Sequence, residues 1–107
     1  MTDEPLAHAP SPDPVVDLIL DLLAARGAGK SICPSEAARI FAERRARPSD
    51  PPDLWRRYLP AVRQQALALA RGGRIAILRR GQPQDPHKPI KGVIRLALPP
   101  AEDDEVA

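Results

Sequence analysis

A chain of 107 residues with one cysteine and a formal net charge of +2 has room for one domain and none for an internal disulfide. That length buries a working core without metals or cross-links, because lone domains become marginal only below roughly 40 to 60 residues. The most apolar stretch, Val15 to Ala25, is broken by Asp17 and Asp21 and falls short of the about 20 residues of a membrane span; no basic, apolar leader opens the chain either, so the cytoplasm is the expected compartment.

Residues 1–12, rich in proline and in small or acidic residues, are expected to be disordered, and so is an acidic tail over residues 99–107. The folded unit is expected over residues 13–98. Its first helix starts at Asp13, a cap, followed by Pro14 at the first helical position, where a missing N–H costs nothing. Val15, Leu18, Ile19, Leu22 and Leu23 recur at helical spacing, and Arg26 followed by Gly27 closes the helix.

Ser31-Ile32 reads as a short extended piece. A second helix follows, with Cys33 in the cap slot, Pro34 first and Glu36 third, which has the form of a capping box weakened by the thiol. Ala37, Ile40 and Phe41 make its buried stripe, while Glu36, Arg39 and Glu43 lie outside at spacings that permit ion pairs. Pro48, Pro51 and Pro52 end it. A third helical region runs from Asp53 to Arg71, capped by Asp53 or Asp50 and stopped by Gly72-Gly73. Pro60 inside it predicts a kink or two abutting helices.

The apolar period then becomes two. Ile75 and Ile77, and later Ile94, Leu96 and Leu98, mark two strands. Between them Gly81 to Gly92, with Pro83, Asp85-Pro86 and Pro89, is too long for a tight hairpin turn and reads as an extended loop. The predicted fold class is mainly α with a small C-terminal β-hairpin. Helix, short extended piece, helix, helix, strand, long loop, strand is the order of a winged helix-turn-helix-like three-helix domain, with the loop as its wing. Its core is expected around Leu18, Leu22, Ile40, Val62, Ile77 and Leu96.

Two runs carry a resemblance: Lys30-Ser31-Ile32-Cys33-Pro34-Ser35-Glu36-Ala37-Ala38-Arg39, and Trp55-Arg56-Arg57-Tyr58-Leu59-Pro60-Ala61-Val62-Arg63 followed by Gly73-Arg74-Ile75-Ala76-Ile77. The stretch from Val15 to Leu98 resembles a bacterial family, domain of unknown function 3253. The resemblance implies a winged-helix-like fold and no established activity. In the last strand the family pattern is similar to Gly-Pro-Ile-Arg, where this chain has Gly92-Val93-Ile94-Arg95.

No enzymatic constellation emerges. Gly27-Ala28-Gly29-Lys30-Ser31 mimics a phosphate loop, but a glycine is missing where Ala24 stands, and a helix precedes the run instead of a strand; it reads as a turn between helices. Cys33 at a helix start reads as a structural cysteine more readily than as a reactive thiol, having no nearby histidine as base. His8 and His87 have no metal-ligand spacing, and no cofactor is implied. Trp55 and Tyr58 keep helical phase with Leu59 and Val62, which favours core packing over base stacking.

The charge distribution carries the remaining signal. Met1 to Ala25 has five acids and no Lys or Arg, Arg26 to Arg80 has thirteen bases against four acids, and Gly81 to Ala107 has three bases against five acids. A basic middle suggests an anionic partner. In helix-turn-helix geometry the third helix presents Arg56, Arg57, Arg63 and Gln64 to the major groove of double-stranded DNA. Arg44, Arg45 and Arg47 then approach the backbone, and Arg79, Arg80, Lys88 and Lys91 line the wing, arginine suiting guanine and phosphate alike. Two features pull the other way. The turn from Arg45 to Asp53 is longer than the usual tight one, and Arg63 has Asp17 or Glu36 as a candidate internal ion-pair partner. The alternative is an adaptor of the same fold that docks an acidic protein partner. With no long apolar heptads, a monomer is expected.

Overall fold

The computed structural model describes residues 13–99. The expectations of disorder over residues 1–12 and 99–107 lie, apart from Pro99, outside the described residues. The first helix, α1, spans Pro14–Arg26. One Asp13 carboxylate oxygen accepts the amides of Val15 at 2.8 Å and Val16 at 3.4 Å, which satisfies two donors that no helical carbonyl reaches. Gly27 closes it with φ of +91° while its N–H donates to the Leu23 carbonyl at 2.9 Å.

Strand β1 is Ser31–Ile32, and α2 is Pro34–Arg44. The expected capping box does not form: the Cys33 side chain makes no cap hydrogen bond, and the Glu36 carboxylate pairs with the Arg26 guanidinium. A thiol is a poor acceptor, and a charged donor outcompetes a neutral amide for a carboxylate.

Helix α3 is Trp55–Arg71, two residues later than expected at its start. Neither aspartate caps it, since Leu54 stands at the cap and the Asp50 carboxylate instead accepts the Arg47 amide at 2.8 Å. One helix passes through Pro60 rather than two abutting there. Pro60 is exposed, and it follows only five residues from the helix start, so its missing N–H removes a single early hydrogen bond.

The sheet has four strands, where the expectation was a two-stranded carboxyl-terminal hairpin and a separate short extended piece at Ser31-Ile32. Strands β2 (Ala76–Arg79), β3 (Gln82–Pro83) and β4 (Arg95–Ala97) join β1 in the antiparallel order β1-β4-β2-β3. The long loop does begin with a tight turn, contrary to the sequence reading. Arg79 pairs with Gln82 across Arg80 and Gly81, whose φ values of 55° and 79° are those of a two-residue hairpin turn matched to strand twist. An Arg-Gly pair is a weak sequence signal for such a turn, and Pro83 speaks against a strand except at an edge, which is where β3 lies.

Ile19, Leu23, Ile32, Val62 and Leu96 are the largest fully buried side chains. Of the expected core, Leu18, Val62, Ile77 and Leu96 are buried, while Leu22 and Ile40 are only half-buried at its border. The stripe of α1 is centred on Ile19 and Leu23. The fold is mainly α with a small antiparallel sheet, an arrangement compatible with a winged-helix-like fold.

Candidate functional site

Helix α3 carries four arginines and no acid, because its apolar phase (Val62, Ala66, Leu69 and Ala70, all buried) assigns every charged position to the other side. Arg56, Arg57, Arg63, Gln64 and Arg71 are all exposed there. Among the described residues no carboxylate comes within ion-pair distance of these four arginines. The suggested pairing of Arg63 with Asp17 or Glu36 does not form, and Glu36 pairs with Arg26 instead.

The returning loop, residues 84–94, lies beside this helix and encloses a groove of about 340 Å³ lined by Arg63, Leu67, Arg71, Ile77, His87, Lys88, Pro89, Ile90 and Ile94. Three contacts hold the loop in place. The Gln84 amide donates to the Ile77 carbonyl at 2.8 Å, the Asp85 carboxylate accepts the His87 amide at 2.8 Å, and Arg71 Nε donates to the Pro86 carbonyl at 3.0 Å. The groove has an apolar floor and a cationic rim. Such a rim favours a multiply charged anion, and the floor gives apolar atoms a place to pack.

The predicted site residues divide between this face and other places. Arg56, Arg57, Arg63 and Gln64 share the outer face of α3, and Lys88 faces Arg63 across the groove. Arg80 at the hairpin tip and Lys91 before Gly92 are exposed on the hairpin and its returning loop. Arg79 is exposed, with its guanidinium against Gly92, 3.1 Å from where a Cβ on that glycine would sit. Arg44 and Arg45 are not brought to α3; they line a separate groove with Asp17 and Asp21 of α1, with Arg45 also 4.7 Å from the centre of the Phe41 ring. Arg47 lies in a third groove beside Glu43 and Asp50.

Sequence reasoning missed Arg71 and His87 at the groove. The signal for Arg71 was present, since residues eight apart lie about 80° apart around a helix, which keeps it on the same broad face as Arg63. It was read only as the end of the helix. No sequence signal places His87 there, because its position depends on the loop's return.

Tyr58 packs edge-on to Phe41 with ring centres 4.9 Å apart, which is core packing. Trp55 is half-buried, with the Arg39 guanidinium 4.4 Å and that of Arg56 5.4 Å from its ring centre. Residues 27–30 form a turn in which Gly27 and Gly29 have positive φ, and no helix starts at Lys30. The half-buried Cys33 thiol is held below its ordinary value, chiefly by the hydrogen bond with Ser35 Oγ at 3.5 Å, with help from the charge of Arg95, against the opposing effect of burial. Among the described residues no group of three His, Cys, Asp or Glu could hold a metal ion, and no helix is long and apolar enough to cross a membrane.

Fold and site together define a small three-helix domain with a cationic groove between its last helix and a hairpin loop. Residues 12–99 match the family described as protein of unknown function (DUF3253), and the chain belongs to that family. No curated protein matches the chain.

Proposed function

We propose that this domain binds double-stranded nucleic acid, DNA in the first instance, with α3 in the major groove and the wing loop against the phosphate backbone. The observation that carries the reading is the acid-free outer face of α3, whose four exposed arginines have no carboxylate partner among the described residues. Arginine offers two parallel hydrogen bonds to guanine or phosphate. Lys88 adds a cation from across the groove. The element order and the pairing of β4 between β1 and β2 support treating the chain as a winged helix, in which that helix and that loop are the reading elements. Arg44 and Arg45 have no part in this version of the interface, because they line a separate groove with Asp17 and Asp21, and Arg47 has Glu43 and Asp50 beside it. With this reading go a cytoplasmic location and a monomeric state.

A salt titration tests it. If about four side chains neutralise phosphates, log affinity falls against log salt with a slope near −3.6, so a fourfold rise in salt weakens binding by roughly two orders of magnitude. Arg63→Ala and Arg71→Ala each flatten the slope by about 0.9, while Arg44→Ala leaves it unchanged. Fluorescence anisotropy with a labelled duplex reads both. Absence of duplex binding at low salt, with and without the acidic segment near residue 104, defeats the proposal and favours an adaptor for an acidic protein.

A further inference from the structure

The groove between α3 and the returning loop has a floor that a phosphate backbone leaves unused. Leu67 and Ile90 are half-buried in its lining, and Ile77 and Ile94, which also line it, are buried. Its rim is cationic, with Arg63 and Arg71 from α3 and Lys88 from the loop, and among the described residues no carboxylate lines it. Asp85, the acid nearest in the loop, is occupied by the His87 amide. A bare inorganic anion satisfies the rim and leaves the aliphatic floor in water; an uncharged apolar molecule does the reverse. A ligand that uses both halves carries an anionic head on an apolar body.

The loop wall is built before any ligand arrives. Pro86 and Pro89 restrict the backbone on either side of His87 and Lys88, and the Lys88 amide donates to the Asp85 carbonyl at 3.1 Å. Arg71 donates through Nε to the Pro86 carbonyl, which leaves its Nη groups for an anion. A pre-formed wall lowers the ordering cost of binding. The groove volume of about 340 Å³ is that of a small-molecule site. No aromatic ring lines it among the described residues, so a nucleobase or aryl group finds no stacking partner and an aliphatic body fits better. Arg63 and Ile94 also border a second hollow of about 280 Å³, where Val93 is 83 % exposed. The apolar surface thus continues past Arg63 into a region that Lys88 and Arg71 do not line.

We infer that this groove is a binding site for one small aliphatic carboxylate, its head held by Arg63, Arg71 and Lys88 and its chain laid on Leu67 and Ile90 towards Val93. Guanidinium groups meet a carboxylate with two parallel hydrogen bonds, and each methylene covered by the floor is removed from water. The site stands on the groove alone. Its consequence, that such a ligand displaces a duplex, rests on the function proposed above.

Two-dimensional amide NMR of the full chain, titrated with butanoate, octanoate and octan-1-ol, tests the site. Octanoate is expected to saturate it, moving the amides of Leu67, residues 87–90 and residues 92–94. It binds about tenfold or more tightly than butanoate, because four further methylenes are covered in part. Lys88→Gln and Arg63→Gln, both at exposed positions, each weaken octanoate about threefold and leave octanol unchanged. Equal affinity for butanoate and octanoate removes the floor, and equal affinity for octanoate and octanol removes the rim; either overturns the inference. So do shifts centred on Lys30 and Ser31, which belong to a different hollow beside β1, and the absence of saturable shifts below ~10 mM. Duplex binding is read separately by anisotropy. Octanoate seated in the groove of a protein that binds no duplex upholds the site and overturns the function; duplex binding without octanoate binding does the opposite.

Discussion

Leu22 and Leu23 are neighbours of the same type on one helix, and their truncation separates the core of this domain from its border. Leu23 is fully buried at 0 % exposure, while Leu22 is half-buried. Leu23→Ala removes three carbons' worth of burial, about 2.4 kcal/mol at roughly 0.8 kcal/mol per carbon. A residual hole of about 50 Å³ adds about 1.2 kcal/mol at roughly 24 cal/mol per Å³, for a total near 3.5 kcal/mol. At Leu22 water fills the space and about half the transfer energy is lost, so about 1 kcal/mol is expected there. For a domain of this size each kcal/mol moves the thermal midpoint by roughly 4 to 8 °C. Leu23→Ala therefore lowers it by roughly 15 to 25 °C, and Leu22→Ala by no more than about 8 °C. Far-ultraviolet circular dichroism through heat and urea melts measures both. Costs within about 0.5 kcal/mol of each other refute the placement of the α1 stripe on Ile19 and Leu23.

Two further expectations concern helix starts. Asp13→Ala removes the carboxylate that accepts the Val15 and Val16 amides and costs about 1 kcal/mol in the same melts, whereas Asp13→Asn costs little. Cys33→Ser puts a hydroxyl where the thiol makes no cap bond, and stability is unchanged or raised by up to about 1 kcal/mol. The same variant alters the pH dependence. The Cys33 thiol is held below its ordinary value, chiefly by Ser35, so folding favours the thiolate. Stability from this source is full above the unfolded thiol's value and is lost as pH falls through the folded one. Denaturant melts between pH 6 and 10 show that rise in the wild type and not in Cys33→Ser; an identical profile in both removes the thiol from the argument.

Elements whose cause is local were legible in the chain itself. The boundaries of α1 follow from Asp13, Pro14 and Gly27, and those of α2 from Pro34 and the prolines beyond it, because caps and breakers act within one turn. The mainly α class and the basic character of α3 were equally visible, since periodicity assigns faces without knowing what covers them. Other features were decided only by tertiary contact. Glu36 was drawn from its own helix end to Arg26, ten residues away in sequence. Leu22 and Leu23 both recur at helical spacing in the sequence, and only the packing of α3 and the sheet against α1 chooses between them. The site shows the same division. Arg56, Arg57, Arg63 and Gln64 share a face by helical geometry alone, but the fold separates Arg44 and Arg45 from it and recruits Arg71, His87 and Lys88 by bringing the loop of residues 84–94 back beside α3. Charge in a sequence is one-dimensional, and a groove forms only where distant segments converge.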